Sequence, residues 1–517
     1  MEKKSKSASL TVLLMIVAML ISKLLGMLRG VLLAASYDIS EKATAFSAAS
    51  RIPLSFFDII FASAILGCFI PVYNSFTSED DKKQKNEFTS IYLNFLLLFT
   101  SVFAILGIAF ADGLIDLVAP GLAFETKELA VLLLRLMFPL IIFAAASYTL
   151  VGVLQSNGSY IVPAFISAVS NLFIIVYFLL FDSAFGITGL AVAYSLAWLI
   201  QLLTLVFPII KSGYKYKLIL NFRNEGFITA LKMTPSIIMG SWLAPLCLLI
   251  SMRFAALTKI SGAVPSFEYA VNLFTVITGI TTYGVCNYIF PKLSAQVALK
   301  NKEFSKTAKT GLTSAVIMTV VISALVFALA PQGISIIYQR GSFDLNAVKK
   351  VTIILRALVP GMIGFTLVEF LSRTFYALKK PRFPGVCVII GLLIDFASVL
   401  LLTNFFGGGL ASIGVSYSLG MLGAGISMLL LAAFFIKDFV TSDLLINFAK
   451  IIVSGVVSGF AMLELNDWIM GLFEAGFLYY LLSAAFVALI GTALYFILLV
   501  IFREKTIESF IKTLRAR

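Results

Sequence analysis

About fourteen long apolar runs follow one another along this chain, and no other feature limits its fold so strongly. A helix that crosses a bilayer needs roughly 20 mostly apolar residues. Runs of that kind cover approximately 9–36, 43–76, 88–111, 128–155, 158–181, 186–210, 227–258, 265–290, 308–330, 348–377, 384–405, 409–436, 447–466 and 475–502. Hydrocarbon offers the backbone no water, so each run must close its own hydrogen bonds as a helix. The expected fold is an all-α polytopic membrane protein with about fourteen transmembrane spans, numbered 1 to 14 below. Of the 517 residues, 60% are hydrophobic and 13% charged, where a soluble domain has about 45–50% and about 25%. That excludes a soluble enzyme and a disordered chain. An outer-membrane barrel would show alternation in place of unbroken runs. The first run is too long for a removable signal peptide and is followed by further spans, so it is expected to be retained.

The formal charge of +13 comes from 39 Lys and Arg against 26 Asp and Glu. Basic residues gather after even-numbered spans: Lys82, Lys83 and Lys85; Lys211, Lys215, Lys217 and Arg223; Lys292, Lys300 and Lys302; Lys379, Lys380 and Arg382. The two ends are basic as well. Odd-numbered loops carry fewer cations, although Arg340, Lys349 and Lys350 break the trend. By the positive-inside rule both termini lie in the cytoplasm of a multi-pass inner-membrane protein. The rule also accounts for the charge with no nucleic-acid partner.

An internal repeat is visible at an offset near 220. Arg135 to Pro139 recurs as Arg356 to Pro360, Pro163 as Pro384, Phe69-Ile-Pro71 as Ile289-Phe-Pro291, and Ala193-Tyr-Ser-Leu196 as Ser416-Tyr-Ser-Leu419. Six spans per copy is an even number, so both copies enter the membrane from the same side and the repeat is parallel. The expected organisation is a first six-helix lobe over 1–212, a second over 213–440, and spans 13 and 14 with a basic tail over 441–517. Two parallel lobes are a transporter plan, with substrate near the midplane and lobes that rock.

A charge within a span costs at least about 2.5–3.5 kcal/mol, so each one needs a reason. Lys23 and Arg29 lie in span 1, Arg51 and Asp58 in span 2, Arg253 in span 7, and Glu268 at the start of span 8. This set is cationic in excess, and an apolar bundle holding it suits an anion. Guanidinium forks match phosphate in particular. The plainer alternative has Arg29 reaching an interface and Arg51 pairing with Asp58. Lys23 and Arg29 point about 120° apart on an ideal helix, and Gly26 and Gly30 allow a bend there. Arg135 and Arg356 occupy matching places in the repeat and read as architectural, capping helix ends or pairing with Glu128 or Glu369. Asp395, alone in an apolar run, suits either a coupling cation, Na⁺ or H⁺, or a bond to a neighbouring helix. Glu464 reads as a surface residue. Seven prolines in or beside spans, Pro53, Pro71, Pro139, Pro163, Pro291, Pro360 and Pro384, permit kinks, while Pro163 and Pro384 begin their spans.

Histidine is absent, and Cys68, Cys247, Cys286 and Cys387 sit singly in apolar runs as small hydrophobes. No nucleotide loop or large extramembrane domain is present, so a membrane-embedded transferase is disfavoured. The chain is expected to be a transporter with no cofactor, and not an enzyme.

Ile21-Ser-Lys-Leu-Leu-Gly-Met-Leu-Arg-Gly30 resembles span 1 of the MurJ (MviN-type) lipid II flippases, within the multidrug/oligosaccharidyl-lipid/polysaccharide exporter superfamily. Thr44-Ala-Phe46 through Arg51-Ile-Pro53, with Phe69-Ile-Pro71, resembles span 2. Tyr269-Ala-Val-Asn-Leu273 with Ile289 to Ser294 resembles span 8. The resemblance covers nearly the whole chain. It implies movement of the lipid-linked peptidoglycan precursor to the outer leaflet of the bacterial cytoplasmic membrane, with cell-wall synthesis enzymes as neighbours. It implies cavity cations that hold the pyrophosphate and sugar head, with Lys23 and Arg29 at the family's two positions in span 1. The last two helices, with the second lobe, would form a groove for the polyprenyl tail. The expected binding set is Lys23, Arg29, Arg51, Arg253 and Asn272. This sequence departs from the pattern at Thr44, where the family has Asp, at Phe57 and Asn272, where it has Arg, and at Phe61-Ala-Ser63, where it has Ala-Glu-Gly. A flippase for another polyprenyl-linked glycan, of capsule or teichoic-acid type, is therefore the alternative. A cation-coupled drug exporter, which would want carboxylates in the first lobe, ranks below both.

Overall fold

A computed structural model describes residues 2–62, 65–76, 81–238, 242–299, 303–378, 380, 382–405, 407–470 and 477–508. The described regular structure is helical throughout. Among the described residues, twelve helices are long and apolar enough to cross a membrane. They correspond to spans 1, 3–6 and 8–14 of the sequence.

The two remaining spans are each described as more than one helical element. Span 2 begins as α2 (Glu41–Phe56), passes through the π-helical segments Phe57–Ala62 and Ile65–Phe69, and ends as the short α3 (Ile70–Ser75). Span 7 is divided into α10 (Glu225–Ile238) and α11 (Leu243–Leu257). A π-turn takes an extra residue into one turn of helix and is common at functional sites. Span 7 carries Pro235 in α10 and Pro245 in α11, neither of which has an N–H to give its helix.

The chain divides into two compact units, Met1–Pro245 and Leu246–Arg517. The first holds α1 (Glu2–Tyr37), α2, α3, α4 (Asp81–Ala109), the short α5 (Ala111–Val118), α6 (Phe124–Met137), α7 (Leu140–Ser156), α8 (Ile161–Leu180), α9 (Asp182–Lys211) and α10. Helix α1 is continuous and packs along α8. The bend expected at Gly26 is not the role of that glycine. A Cβ there would lie 3.3 Å from Asn171 Nδ2 on α8, so Gly26 serves close approach. Gly186 in α9 has φ 57°, a turn into the span that L side chains rarely make, and its carbonyl accepts from Tyr177 Oη at 2.6 Å. The connection over 212–224 is bonded along α4. Asn94 Nδ2 donates to Lys217 O and Ile219 O at 2.9 and 3.0 Å, and Tyr216 Oη donates to Asn94 Oδ1 at 2.6 Å. Tyr214 Oη meets Ser90 Oγ at 2.9 Å. Burial pushes the Tyr214 hydroxyl up to about 12, so it stays neutral at any physiological pH.

The second unit holds most of α11, then α12 (Ala263–Ala298), α13 (Phe304–Tyr338), α14 (Leu345–Ala377), α15 (Arg382–Phe405), α16 (Leu410–Phe435), α17 (Ser442–Met470) and α18 (Phe477–Ile501). Glycine lets α14 and α16 nearly touch: a Cβ on Gly364 would lie 2.4 Å from the Met421 carbonyl carbon, and one on Gly414 2.7 Å from Ile354 O. Close approach of this kind drives association where lipid removes the hydrophobic advantage. A three-threonine chain, Thr282–Thr366–Thr319, joins α12, α14 and α13 at 2.9 and 2.8 Å.

Proline makes a separate demand on α13. Pro331 cannot donate to the carbonyl of Phe327, four residues before it. Arg356 on α14 takes up that acceptor, with Nε 2.9 Å from Phe327 O and the guanidinium 5.4 Å from the Phe327 ring centre. The architectural reading of Arg356 is thus supported, with a different partner. It caps a carbonyl, while Glu369 pairs with Arg373 at 3.7 Å. Arg135, its counterpart in the repeat, stands exposed on α6.

The repeat recurs in the bonds of the two units. Pro139 follows Arg135, and Pro360 follows Arg356. The carbonyl three residues before each proline accepts from a serine: Ser195 Oγ to Leu136 O at 2.7 Å, and Ser418 Oγ to Ala357 O at 2.8 Å. The tyrosine beside each serine meets a phenylalanine edge-on. Phe46–Tyr194 centroids are 5.1 Å apart, and Phe267–Tyr417 centroids 6.3 Å.

Candidate functional site

In the first unit the expected cations lie on α1 and α2. Lys23 is exposed on α1. Arg29, two turns further on, is half-buried and held from two directions. Its Nη1 donates to Asn171 Oδ1 on α8 at 3.0 Å, and its guanidinium lies 5.4 Å from the ring centre of Tyr194 on α9. Both holders are themselves fixed. Asn171 Nδ2 donates to Ser22 O at 3.2 Å, and Tyr194 packs against Phe46 of α2. Four helices thus aim one guanidinium. Among the described residues, no carboxylate forms an ion pair with Arg29 or Lys23. A cation–π contact and a neutral acceptor orient a guanidinium without cancelling its charge.

Arg51 is half-buried on α2, and its charge acts on Asp58, which is exposed at the start of the π-helical stretch. Where the family pattern has arginine, Phe57 closes an aromatic group with Tyr148 and Trp198, at centroid distances of 5.0 and 5.8 Å. Thr44, where the pattern has aspartate, is buried and donates to Ser40 O at 3.0 Å. It serves the start of α2, whose N-cap is Ser40.

In the second unit, Arg253 is half-buried on α11 and Asn272 half-buried on α12. Asp395 lies elsewhere, in the packing of α15 with α16. Its polar neighbours are Cys247, about 9 Å along α11 from Arg253, and Ser416. The four cysteines are buried and unbridged. Glu464 is exposed on α17. An apolar cavity of about 370 Å³ opens between α13, α14 and α17, lined by Val320, Phe327, Pro360, Ile452, Gly455 and Phe460 among others.

Asn171 does not figure in the reading of the sequence, and Tyr194 figures there only as part of the repeat. Asn171 is the one amide in span 5, and a lone amide in hydrocarbon implies a partner on another helix.

The profile of the family described as lipid II flippase MurJ matches residues 33–484. The probable lipid II flippase MurJ of Buchnera aphidicola subsp. Schizaphis graminum is 28% identical over 396 residues, 74% of this chain and 76% of that protein. The lipid II flippase MurJ of Burkholderia cenocepacia is 28% identical over 420 residues, 78% and 79% of the two chains. Among solved structures, a lipid II flippase MurJ in an inward closed conformation superposes with TM-score 0.77 at 21% identity, over 94% of this chain and 100% of that one. An inward-facing multidrug transporter of the MATE family and MOP superfamily gives TM-score 0.63 at 16% identity, over 81% and 95%. The structural likenesses establish the fold. On the profile match, the chain is a multi-pass membrane transporter, not a catalytic enzyme, and belongs to the lipid II flippase MurJ family.

Proposed function

We propose that this chain moves lipid II from the inner to the outer leaflet of the bacterial cytoplasmic membrane by alternating access, with both termini in the cytoplasm. The observation that carries this reading is the hold on Arg29. An intramembrane guanidinium, costly to place there, is aimed by Asn171 and Tyr194, both neutral groups. Such a group suits the pyrophosphate of a lipid-linked sugar. Lys23, Arg51 and Arg253 add to the cationic set, and Asn272 supplies an amide for the sugar head. The apolar cavity beside α17 suits the polyprenyl tail. An inside-negative membrane potential assists the outward movement of an anionic head. A coupling cation, Na⁺ or H⁺, would act at Asp395.

A second reading, transport of another polyprenyl-linked glycan, is favoured by the Phe57 aromatic group and by Asn272, which stand where the family pattern has arginine. Leaflet accessibility of lipid II in cells depleted of their native flippase decides between them. This chain is expected to restore outer-leaflet lipid II, and Arg29→Ala to lower the rate at least about tenfold with normal membrane levels, since a charge-assisted hydrogen bond is worth about 1.5–3 kcal/mol. Failure of the wild-type chain at normal expression transfers the assignment to the second reading. Full activity of Arg29→Ala removes the anion-site argument.

A further inference from the structure

We propose that Tyr283 and Tyr376, together with the Glu369–Arg373 pair, form a carbohydrate platform on the second unit that binds pyranose rings of the lipid-linked substrate. The inference rests on the flippase reading above and adds a sugar-reading surface to its anion site.

Tyr283 follows Asn272 by eleven residues on α12. Eleven steps of about 100° return to within about 20° of the start, so the two share a face of the helix. On α14, Glu369, Arg373 and Tyr376 stand at i, i+4 and i+7 and share a face as well. Helices α12 and α14 pack against each other. The Arg373 guanidinium lies 5.4 Å from the Tyr283 ring centre, and its Nη2 is 3.7 Å from Glu369 Oε2. Phe365 of α14 meets the Tyr283 ring edge-on, with centroids 6.2 Å apart. Two contacts thus set the plane of this tyrosine. Tyr283 is nevertheless 36% exposed and Tyr376 42%.

Hydrocarbon is a poor medium for such a cluster. The side chains of Arg373 and Glu369 are 25% and 29% exposed, and charges in a spanning helix turn to protein or to water. The face is therefore a wet one. Its pair is balanced, one charge of each sign, whereas Arg29 forms no ion pair among the described residues. A phosphate calls for a surplus of cation, and a cationic drug for a surplus of carboxylate. The pair offers neither surplus. A sugar ring is neutral and suits it. The C–H face of a pyranose is electropositive and rests on the negative face of an aromatic ring. Its hydroxyls donate and accept at once, so one group can donate to Glu369 and accept from Arg373. At 3.7 Å the pair is longer than a hydrogen bond, which lets a hydroxyl bridge it. Aromatic walls with a few placed polar groups are the usual make-up of a small-molecule site.

Binding of two lipids to the purified full chain in detergent tests this: lipid II, and undecaprenyl pyrophosphate, which has the same anion and tail and no sugar. Wild type is expected to bind lipid II at least about tenfold more tightly. Tyr283→Ala is expected to weaken lipid II binding about tenfold and undecaprenyl pyrophosphate binding less than about twofold, with Tyr283→Phe recovering most of the loss, since the ring face does the stacking. Should Tyr283→Ala fail to fold, Tyr376→Ala, at a more exposed ring, takes its place with the same expected selectivity. Equal affinity of wild type for the two lipids, a loss shared equally between them, or full retention of lipid II binding in both alanine variants overturns the platform. None of these touches the anion site at Arg29. A third lipid, undecaprenyl pyrophosphate bearing a teichoic-acid-type glycan, separates the two readings. Preference for it over lipid II, lost in Tyr283→Ala, refutes the lipid II assignment and upholds the platform.

Discussion

The two units place the same parts at matching positions and use them differently. Each has a proline in its fourth span of six, a serine bonded to the carbonyl three residues earlier, and a tyrosine beside that serine meeting a phenylalanine edge. In the second unit α14 continues through Pro360 as one helix, while in the first the helix ends at Met137 and restarts at Leu140. At the offset of 221, Gly361 and Gly364 correspond to Leu140 and Phe143. The glycines let α16 press against α14, where the first unit has the side chains of Leu140 and Phe143. The charges differ more. Tyr194 lies beneath Arg29, whereas the stretch around Tyr417 brings Ser416 to a buried acid. Packing devices have kept their places between the copies, while Arg29 and Asp395 have no ionisable counterpart in the other copy.

Substitutions can break or sharpen this comparison. The largest effect is expected at Gly364. Any side chain there meets the α16 backbone, so Gly364→Val should cost about 3 kcal/mol or more and sharply lower the yield of monodisperse protein on size exclusion. Next come the paired arginines. Arg356→Leu leaves Phe327 O without a donor and should lower stability by about 2 kcal/mol in thermal melts. Arg135→Leu, at the matching but exposed position, should stay within about 0.5 kcal/mol. Equal losses at the two sites would mean that the arginines are alike after all. The smallest effect belongs to the serines. Ser195→Ala and Ser418→Ala should each cost about 0.6 kcal/mol, the usual worth of a hydrogen bond between membrane helices. A marked inequality between them would separate the two proline sites.

Much of this architecture is legible in the sequence because a bilayer demands length and apolarity, and both can be read along the chain. The twelve continuous spans and the repeat are of that kind. The π-helical stretches of span 2 are not, since hydropathy is blind to whether a turn closes with four residues or five. Arg356 shows a related limit. Its position in the repeat marks it as architectural, but its acceptor is a backbone carbonyl freed by Pro331, which charge pairing does not reveal. Arg29 is legible as a cation in a span. Its holders are neutral and 142 and 165 positions away, so only the fold brings them to it.

The Pro331–Arg356 bond also bears on how the second unit can change over generations. Proline at 331 without the arginine strands a carbonyl, and arginine at 356 without the proline finds that carbonyl already engaged by its own helix and keeps only the Phe327 ring. Each single step is worse than either having both or having neither. The pair therefore acts as a ratchet: once both are in place, drift at one position is checked by the other, and the proline in α13 outlasts the particular history that produced it.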